Sequence, residues 1–178
     1  AQAGIRYAKQ QFLWAYLEPE RGRFEWDAYD EIVDLYRSHD IEVIARLDWP
    51  PGWVPKADWV AEAFRERTNA PPADVDEYAR FAAEVARHYR GRVRFYQIWN
   101  EPNLLSEWGF NPAHPVDPAE YAALLDAAAD AIREADPTAV ILSAPLAINV
   151  ETVDVGGNMS DLAYLRGLYA AGAEDSFD

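Results

Sequence analysis

The chain has 178 residues, half of them apolar, which fits a folded unit with a sizeable core and argues against global disorder. Its 31 acidic residues against 16 basic ones leave a formal charge of −15, a surface that repels phosphate backbones and anionic lipid, so neither nucleic acid nor a membrane is expected as a partner. Cysteine is absent, which removes disulfides and thiolate chemistry and leaves secreted and cytoplasmic locations both open.

The chain opens almost directly on a strand-like run, Ile5–Leu13, without an initiator Met. A helical period follows from Asp27 to about Ser38, with Tyr29, Ile32, Val33 and Tyr36 on one face. A second strand, Ile41–Asp48, precedes a helix that starts at Asp74, where Glu77 completes a capping box and Tyr78, Phe81, Ala82, Val85 and Tyr89 form the apolar face. The third strand, Val93–Trp99, leads to the strongest helix start in the chain: Asp117 as cap, Pro118 in the first turn, Glu120 closing the box. Tyr121, Leu124, Leu125, Ala128 and Ile132 are its buried face, and Asp136-Pro137 stops it. A fourth strand, Ala139–Ser143, is followed by a helix that runs from a Ser160 cap through Leu162, Leu165 and Leu168 to Gly172. The closing Ser176-Phe177-Asp178 has the look of a further strand beginning, and we expect residues 1–178 to be one partial domain of a longer protein.

Strands alternating with helices argue for parallel β/α units, in either a doubly wound sheet or a (β/α)8 barrel. No Gly-rich phosphate turn follows any strand, which weakens the doubly wound dinucleotide fold. Long aromatic-bearing segments (14–26, 49–73 and 102–116) all leave C-terminal strand ends, which favours a TIM barrel with a built-up C-terminal face.

The most informative segment is Gln97-Ile98-Trp99-Asn100-Glu101-Pro102-Asn103. Pro102 biases Glu101 away from helix, so Asn100 and Glu101 stand where strand gives way to loop. A carboxylic acid there, with an amide beside it to hold a hydroxyl, suits protonation of a glycosidic oxygen; the plainer alternative is a loop carboxylate that caps the next segment. Trp49 and Trp53 in one loop and Trp108 in another are candidate platforms for sugar rings, with Trp53 and Trp108 preferred, or else anchors that pin long loops to the rim. Trp99, among apolar strand neighbours, belongs to the core. Asp48 ends its strand and either touches a substrate hydroxyl, orients Glu101, or caps its loop locally. Glu18, before Pro19, is structural, with Arg21 or Arg23 as partner. No His or carboxylate pattern has metal-ligand spacing, so no metal and no cofactor is expected.

With these motifs in place, the chain resembles part of a retaining glycoside hydrolase of clan A, closest to family 39 and related family 5-like enzymes. The resemblance rests on Trp14-Ala15-Tyr16-Leu17-Glu18-Pro19-Glu20-Arg21-Gly22-Arg23-Phe24-Glu25-Trp26, on Ile98-Trp99-Asn100-Glu101-Pro102-Asn103, and on Tyr164 to Gly172 with Phe177-Asp178. It implies that the four strands are the second to fifth of eight. It also implies that Glu101 is the general acid/base, that Asn100 binds the hydroxyl next to the reacting carbon, and that the nucleophile is a Glu on a later strand outside these residues. A carbohydrate is the implied substrate, and the remainder of the barrel, from the same gene or as a second half-barrel, the implied partner. One departure stands out: Lys9 occupies a first-strand position where the family often has Arg, while Arg6 falls on the opposite face. Two other readings remain open from sequence, a non-catalytic carbohydrate-binding barrel relative and an α/β interaction domain.

Overall fold

The computed structural model describes residues 4–66, 69–148 and 157–178. Strand β1 (Tyr7–Leu13) runs into a single helical turn, α1 (Trp14–Leu17), and α2 (Asp27–Arg37) returns to β2 (Glu42–Asp48). Then come α3 (Val75–Tyr89), β3 (Phe95–Ile98), α4 (Pro118–Ala135), β4 (Val140–Leu142) and α5 (Asp161–Ala170). Neighbouring strands are all parallel in the order β1-β2-β3-β4, so consecutive units lie side by side as in a barrel wall, with no reversal of strand order.

Strand register decides which side chains meet. Phe12, Leu47 and Ile98 form one row across the sheet, Gln11, Arg46, Gln97 and Leu142 the next. Because side chains alternate between faces, the first row looks toward the helices together with Val43, Ala45, Tyr96 and Ile141, and all of these are buried. The opposite face, which would be a barrel interior, carries Lys9, Gln11, Arg46, Asp48 and Gln97, so it is polar toward the C-terminal strand ends. Helices α3 and α4 pack against each other over the sheet, and the apolar faces expected for both are buried as the 3.6-residue period predicts.

Two expectations need correction. Both capping boxes are half-formed: Asp74 and Asp117 accept from the N–H two residues on, but the glutamates point elsewhere. Glu77 pairs with Arg21 and Arg80, and Glu120 accepts from the Trp108 indole (3.0 Å) and meets His114 (2.8 Å). Charged partners across the loops outcompete the single backbone N–H that a box would satisfy. In α5 the buried residues are Tyr164 and Leu168, four apart, while Leu162 is 64 % exposed, because only one narrow stripe of that helix touches α4.

Helices α2, α3 and α4 each send a tyrosine hydroxyl to a strand end. Tyr29 accepts from the Leu13 N–H (3.2 Å), Tyr78 donates to the Leu47 carbonyl (2.7 Å), and Tyr121 donates to the Ile98 carbonyl (2.8 Å) while accepting from the Ala144 N–H (2.6 Å). The Leu47 carbonyl has a second donor in the Trp99 N–H (3.0 Å), so it is not orphaned if Tyr78 is truncated. Tyr121→Phe, which strips partners from two strand ends, is expected to cost about 2–3 kcal/mol, and Tyr78→Phe about 1 kcal/mol. Denaturant midpoints at unchanged slope would show that order; equal losses would contradict it.

Candidate active site

Glu101 leaves β3 on a backbone that turns left-handed twice, at Trp99 (φ 66°) and at Glu101 itself (φ 41°). Bulky residues enter that region at a cost of order 1 kcal/mol or more and stay there only when their surroundings hold them. Here the Trp99 N–H donates to Leu47, its indole N–H donates to the Glu107 carbonyl (2.9 Å), and the Glu101 N–H donates to the Pro145 carbonyl (3.1 Å). Trp49 repeats the device after β2, with φ 60° and its carbonyl accepting from the Ala15 N–H (2.9 Å). Asn100 and Glu101 are thereby held half-buried, side by side, at the C-terminal end of the sheet.

Around them lies a group of charges. Arg46 on β2 is gripped by Asp48, with Nε 2.5 Å from Oδ2 and a terminal nitrogen on the same oxygen. With its amide oxygen turned to Arg46, Gln11 accepts from both terminal nitrogens at 3.2 Å. The loop after Pro102 makes a short turn at Leu105–Glu107, which brings the half-buried Glu107 carboxyl within the electrostatic reach of Arg46, Asp48, Glu101 and Asn100. Burial pushes the Glu107 carboxyl above the ordinary glutamate range; the Arg46 charge opposes this, Asp48 and Glu101 add to it, and the Asn100 amide works against it. Asp48 is 2 % exposed, and burial drives its carboxyl up to about 6 in spite of Arg46 and, more weakly, Lys9. Its Oδ1 has no hydrogen-bond partner among the described residues.

The six residues singled out from sequence therefore separate. Asn100 and Glu101 are adjacent in the site, and Asp48, paired with Arg46, shares with them an electrostatic influence on Glu107; its burial leaves no face for direct contact with a hydroxyl. Trp49 is half-buried at the end of β2. Trp53 stands beside the start of α3, lining a cleft with Arg21, Val54, Pro55, Asp74 and Glu77; its indole N–H donates to the Glu18 carbonyl (3.1 Å) and its ring meets the edge of Trp14. That cleft includes neither Asn100 nor Glu101. Trp108 is a correction: it is 1 % exposed, wedged edge-on against Trp99 and Tyr121 with its indole nitrogen on Glu120, so it offers no ring face to a sugar. Glu18 is structural as expected, but its partners are the Trp14 indole, the Gly22 N–H and Arg80 rather than Arg21 or Arg23. Arg46 and Glu107 were missed. A lone arginine in an otherwise apolar strand, two residues before Asp48, was the available signal for the first; nothing local marks Glu107. Arg46 also supplies the planar fork that Lys9 lacks. Among the described residues no group of three or more His, Asp or Glu side chains could hold a metal ion.

Parallel β/α units whose strand ends converge on an Asn-Glu pair place the chain among the clan A glycoside hydrolases, as part of a TIM barrel. The family model for glycoside hydrolase family 42, β-galactosidase, matches residues 1–90, and the chain belongs to that family. Over 92 residues it is 33 % identical to the β-galactosidase Bga of Halorubrum lacusprofundi, a match covering 50 % of this chain and 12 % of that one. The fold superimposes on a monomeric β-xylosidase from Caulobacter crescentus CB15 with a TM-score of 0.64 at 21 % identity, covering 95 % of this chain and 34 % of that one. A family 39 glycoside hydrolase from Bacteroides cellulosilyticus WH2 superimposes with a TM-score of 0.57 at 19 % identity, covering 79 % and 26 %. The chain thus spans about an eighth to a third of the length of these relatives. The clan indicated by the motifs holds; within it the matching model is family 42, and family 39 is represented among the similar folds.

The buried Asp48 carboxyl has a pH signature. Its folded value near 6 lies above the ordinary aspartate value near 4, so the folded state holds this proton more tightly. The associated stability is fully present below about pH 4 and is lost as pH rises through 6, on the order of 3 kcal/mol for that gap. Relative to Asp48→Asn, the native protein should therefore lose stability between about pH 4 and 6. Paired denaturation curves across that window provide the check; a pH-independent difference would mean that Asp48 is ionised throughout.

Proposed function

We propose that the protein hydrolyses O-glycosidic bonds of an oligo- or polysaccharide by a retaining mechanism with two carboxylates, in which Glu101 is the general acid/base. The observation that carries this reading is the pinned Asn100-Glu101 pair at the C-terminal end of β3, beside a half-buried cluster of charge. In the first step Glu101 gives its proton to the departing glycosidic oxygen while a second carboxylate, outside these residues, attacks the anomeric carbon. In the second step Glu101 takes a proton from water, which displaces that carboxylate. Asn100 holds the hydroxyl on the neighbouring carbon. The names of the relatives, β-galactosidase and β-xylosidase, support a β-linked sugar as substrate. The remaining strands are proposed to continue the barrel from the outer edges of β1 and β4, the latter already met by Asp178, which bonds to the N–H and the carbonyl of Ile141. A non-catalytic carbohydrate-binding barrel is the alternative, favoured if no acidic residue stands at the corresponding later strand end.

In the full-length protein, Glu101→Gln should lower turnover of β-glycosides with poor leaving groups by roughly 10²–10⁴-fold. Activated aryl β-galactosides and β-xylosides need less protonation, and their first step should suffer less. Unchanged rates on both classes would remove Glu101 from the chemistry. Asn100→Ala should lower kcat and kcat/KM together, since the 2-hydroxyl contact strengthens in the transition state. A rise in KM alone would show uniform binding instead.

A further inference from the structure

Trp49 stands apart from the other tryptophans. Trp14, Trp53, Trp99 and Trp108 each give the indole N–H to an acceptor, and Trp26 and Trp59 lie flat on His88 and His114. All six belong to the hydrophobic core or pack against it, and Trp49 does not. Among the described residues its ring meets no other ring and its indole N–H meets no acceptor. It is half-buried, so part of the indole is open.

We propose that Trp49 is the sugar platform of the catalytic cleft, the indole against which the pyranose ring held by Asn100 lays its apolar face. The inference rests on the hydrolase reading and adds to it the group that carries the ring. Position is the first support. Leu47 lies opposite Ile98, so counting on two residues in each strand sets Trp49 level with Asn100, one strand spacing of about 4.8 Å away. A single sugar ring reaches both. The backbone is the second. In an extended strand, residue 49 would follow Val43, Ala45 and Leu47 onto the helix face. The left-handed turn at Trp49 (φ 60°) breaks that alternation, and the ring stays out of the core. A bulky residue keeps such a conformation only where its surroundings impose it. Here they act on the main chain: the Ala15 N–H donates to the Trp49 carbonyl (2.9 Å), and the buried Lys56 ammonium donates to the carbonyls of Pro50 (3.4 Å) and Pro51 (2.9 Å).

Chemistry is the third support. A pyranose ring carries C–H groups on its faces and hydroxyls around its rim, and an open indole beside an amide and a carboxyl complements both. Trp99 supplies the contrast. It turns left-handed at the matching place after β3 (φ 66°), but its indole is buried and bonded to the Glu107 carbonyl, so its own side chain helps to hold the turn. At Trp49 the strained backbone is held without any contribution from the ring, which leaves the ring available to a ligand. Removing it should therefore touch substrate binding and spare the fold.

The test compares the full-length native protein with Trp49→Asn and Trp49→Phe on aryl β-galactosides and β-xylosides, alongside denaturant midpoints. Asn tolerates the left-handed backbone and lacks the ring. Trp49→Asn is expected to keep the native midpoint while KM rises roughly 10–100-fold and kcat stays within about 3-fold of native, since a platform binds ground state and transition state alike. Trp49→Phe keeps an apolar face and should fall between the two. Trp49→Gly, free of strain at this φ, serves if the Asn variant does not fold. A native KM in Trp49→Asn, with the defect of Glu101→Gln present, would overturn the platform and leave the hydrolase reading standing. A midpoint lowered along with activity would also overturn it, because the ring would then be packing the barrel rather than meeting substrate. If Glu101→Gln and Asn100→Ala are both silent, the hydrolase reading has failed and the platform with it.

Discussion

The tyrosine hydroxyls under the strand ends are the constraint on which the rest of the site depends. A parallel strand ends with carbonyls and N–H groups that its neighbours no longer pair, and in a structure whose helices cover the sheet those groups are out of reach of water. Tyr29 and Tyr121 satisfy them from the helix side, at Leu13 and at Ile98 with Ala144, and Tyr78 adds a second donor to the Leu47 carbonyl beside the Trp99 N–H. The chain can then leave each strand abruptly, because its last paired residue is already held. The left-handed turn at Trp99 follows directly after such a held position, and the one at Trp49 comes two residues after Leu47. Without that support, strained turns carrying indoles would relax, and Asn100 and Glu101 would lose their fixed place.

Above this frame the site is built from polar side chains of the sheet's other face. Row by row the face changes character: Ile44, Phe95 and Val140 lie side by side lower down, with Lys9 at the β1 end of the same row, and Gln11, Arg46 and Gln97 lie one layer higher. A mostly apolar row below a polar layer leaves the hydrogen-bonding groups gathered where a hydrophilic ligand would rest. Charged groups in that layer are worth more than they would be in open water, and an unpaired one costs more. This accounts for the close pairing of Arg46 with Asp48 and for the raised Asp48 carboxyl at one and the same place.

Much of this was legible in the chain itself. Periodicity placed the helices and buried faces of α3 and α4, since burial of one apolar stripe is what that period records. The Asn100-Glu101-Pro102 motif placed the candidate acid at a strand end, because proline and a β-branched run are local signals. Pairings between distant segments were not legible. Glu77 and Glu120 read as cap residues because their nearest neighbours in sequence are N–H groups, yet their real partners stand on other loops. Tyrosines 29, 78 and 121 read as apolar, and the period says nothing of where a hydroxyl points. Trp108 read as a platform because it lies in a long loop beyond Glu101; the fold returns that loop onto Trp99 and Tyr121 and buries the indole.

Glu18 has no exposed surface, and its carboxylate receives the Trp14 indole, the Gly22 N–H and the Arg80 guanidinium, while its carbonyl takes the Trp53 indole. The segment after β1, the segment after β2 and the first turns of α3 are therefore joined through one residue. For anyone exchanging loops among such barrels, these three pieces form a single interchangeable part: a graft that carries the first loop without Arg80 and Trp53 leaves a desolvated carboxylate with no counter-charge, and the acceptor scaffold inherits that defect whatever the new loop was meant to bind.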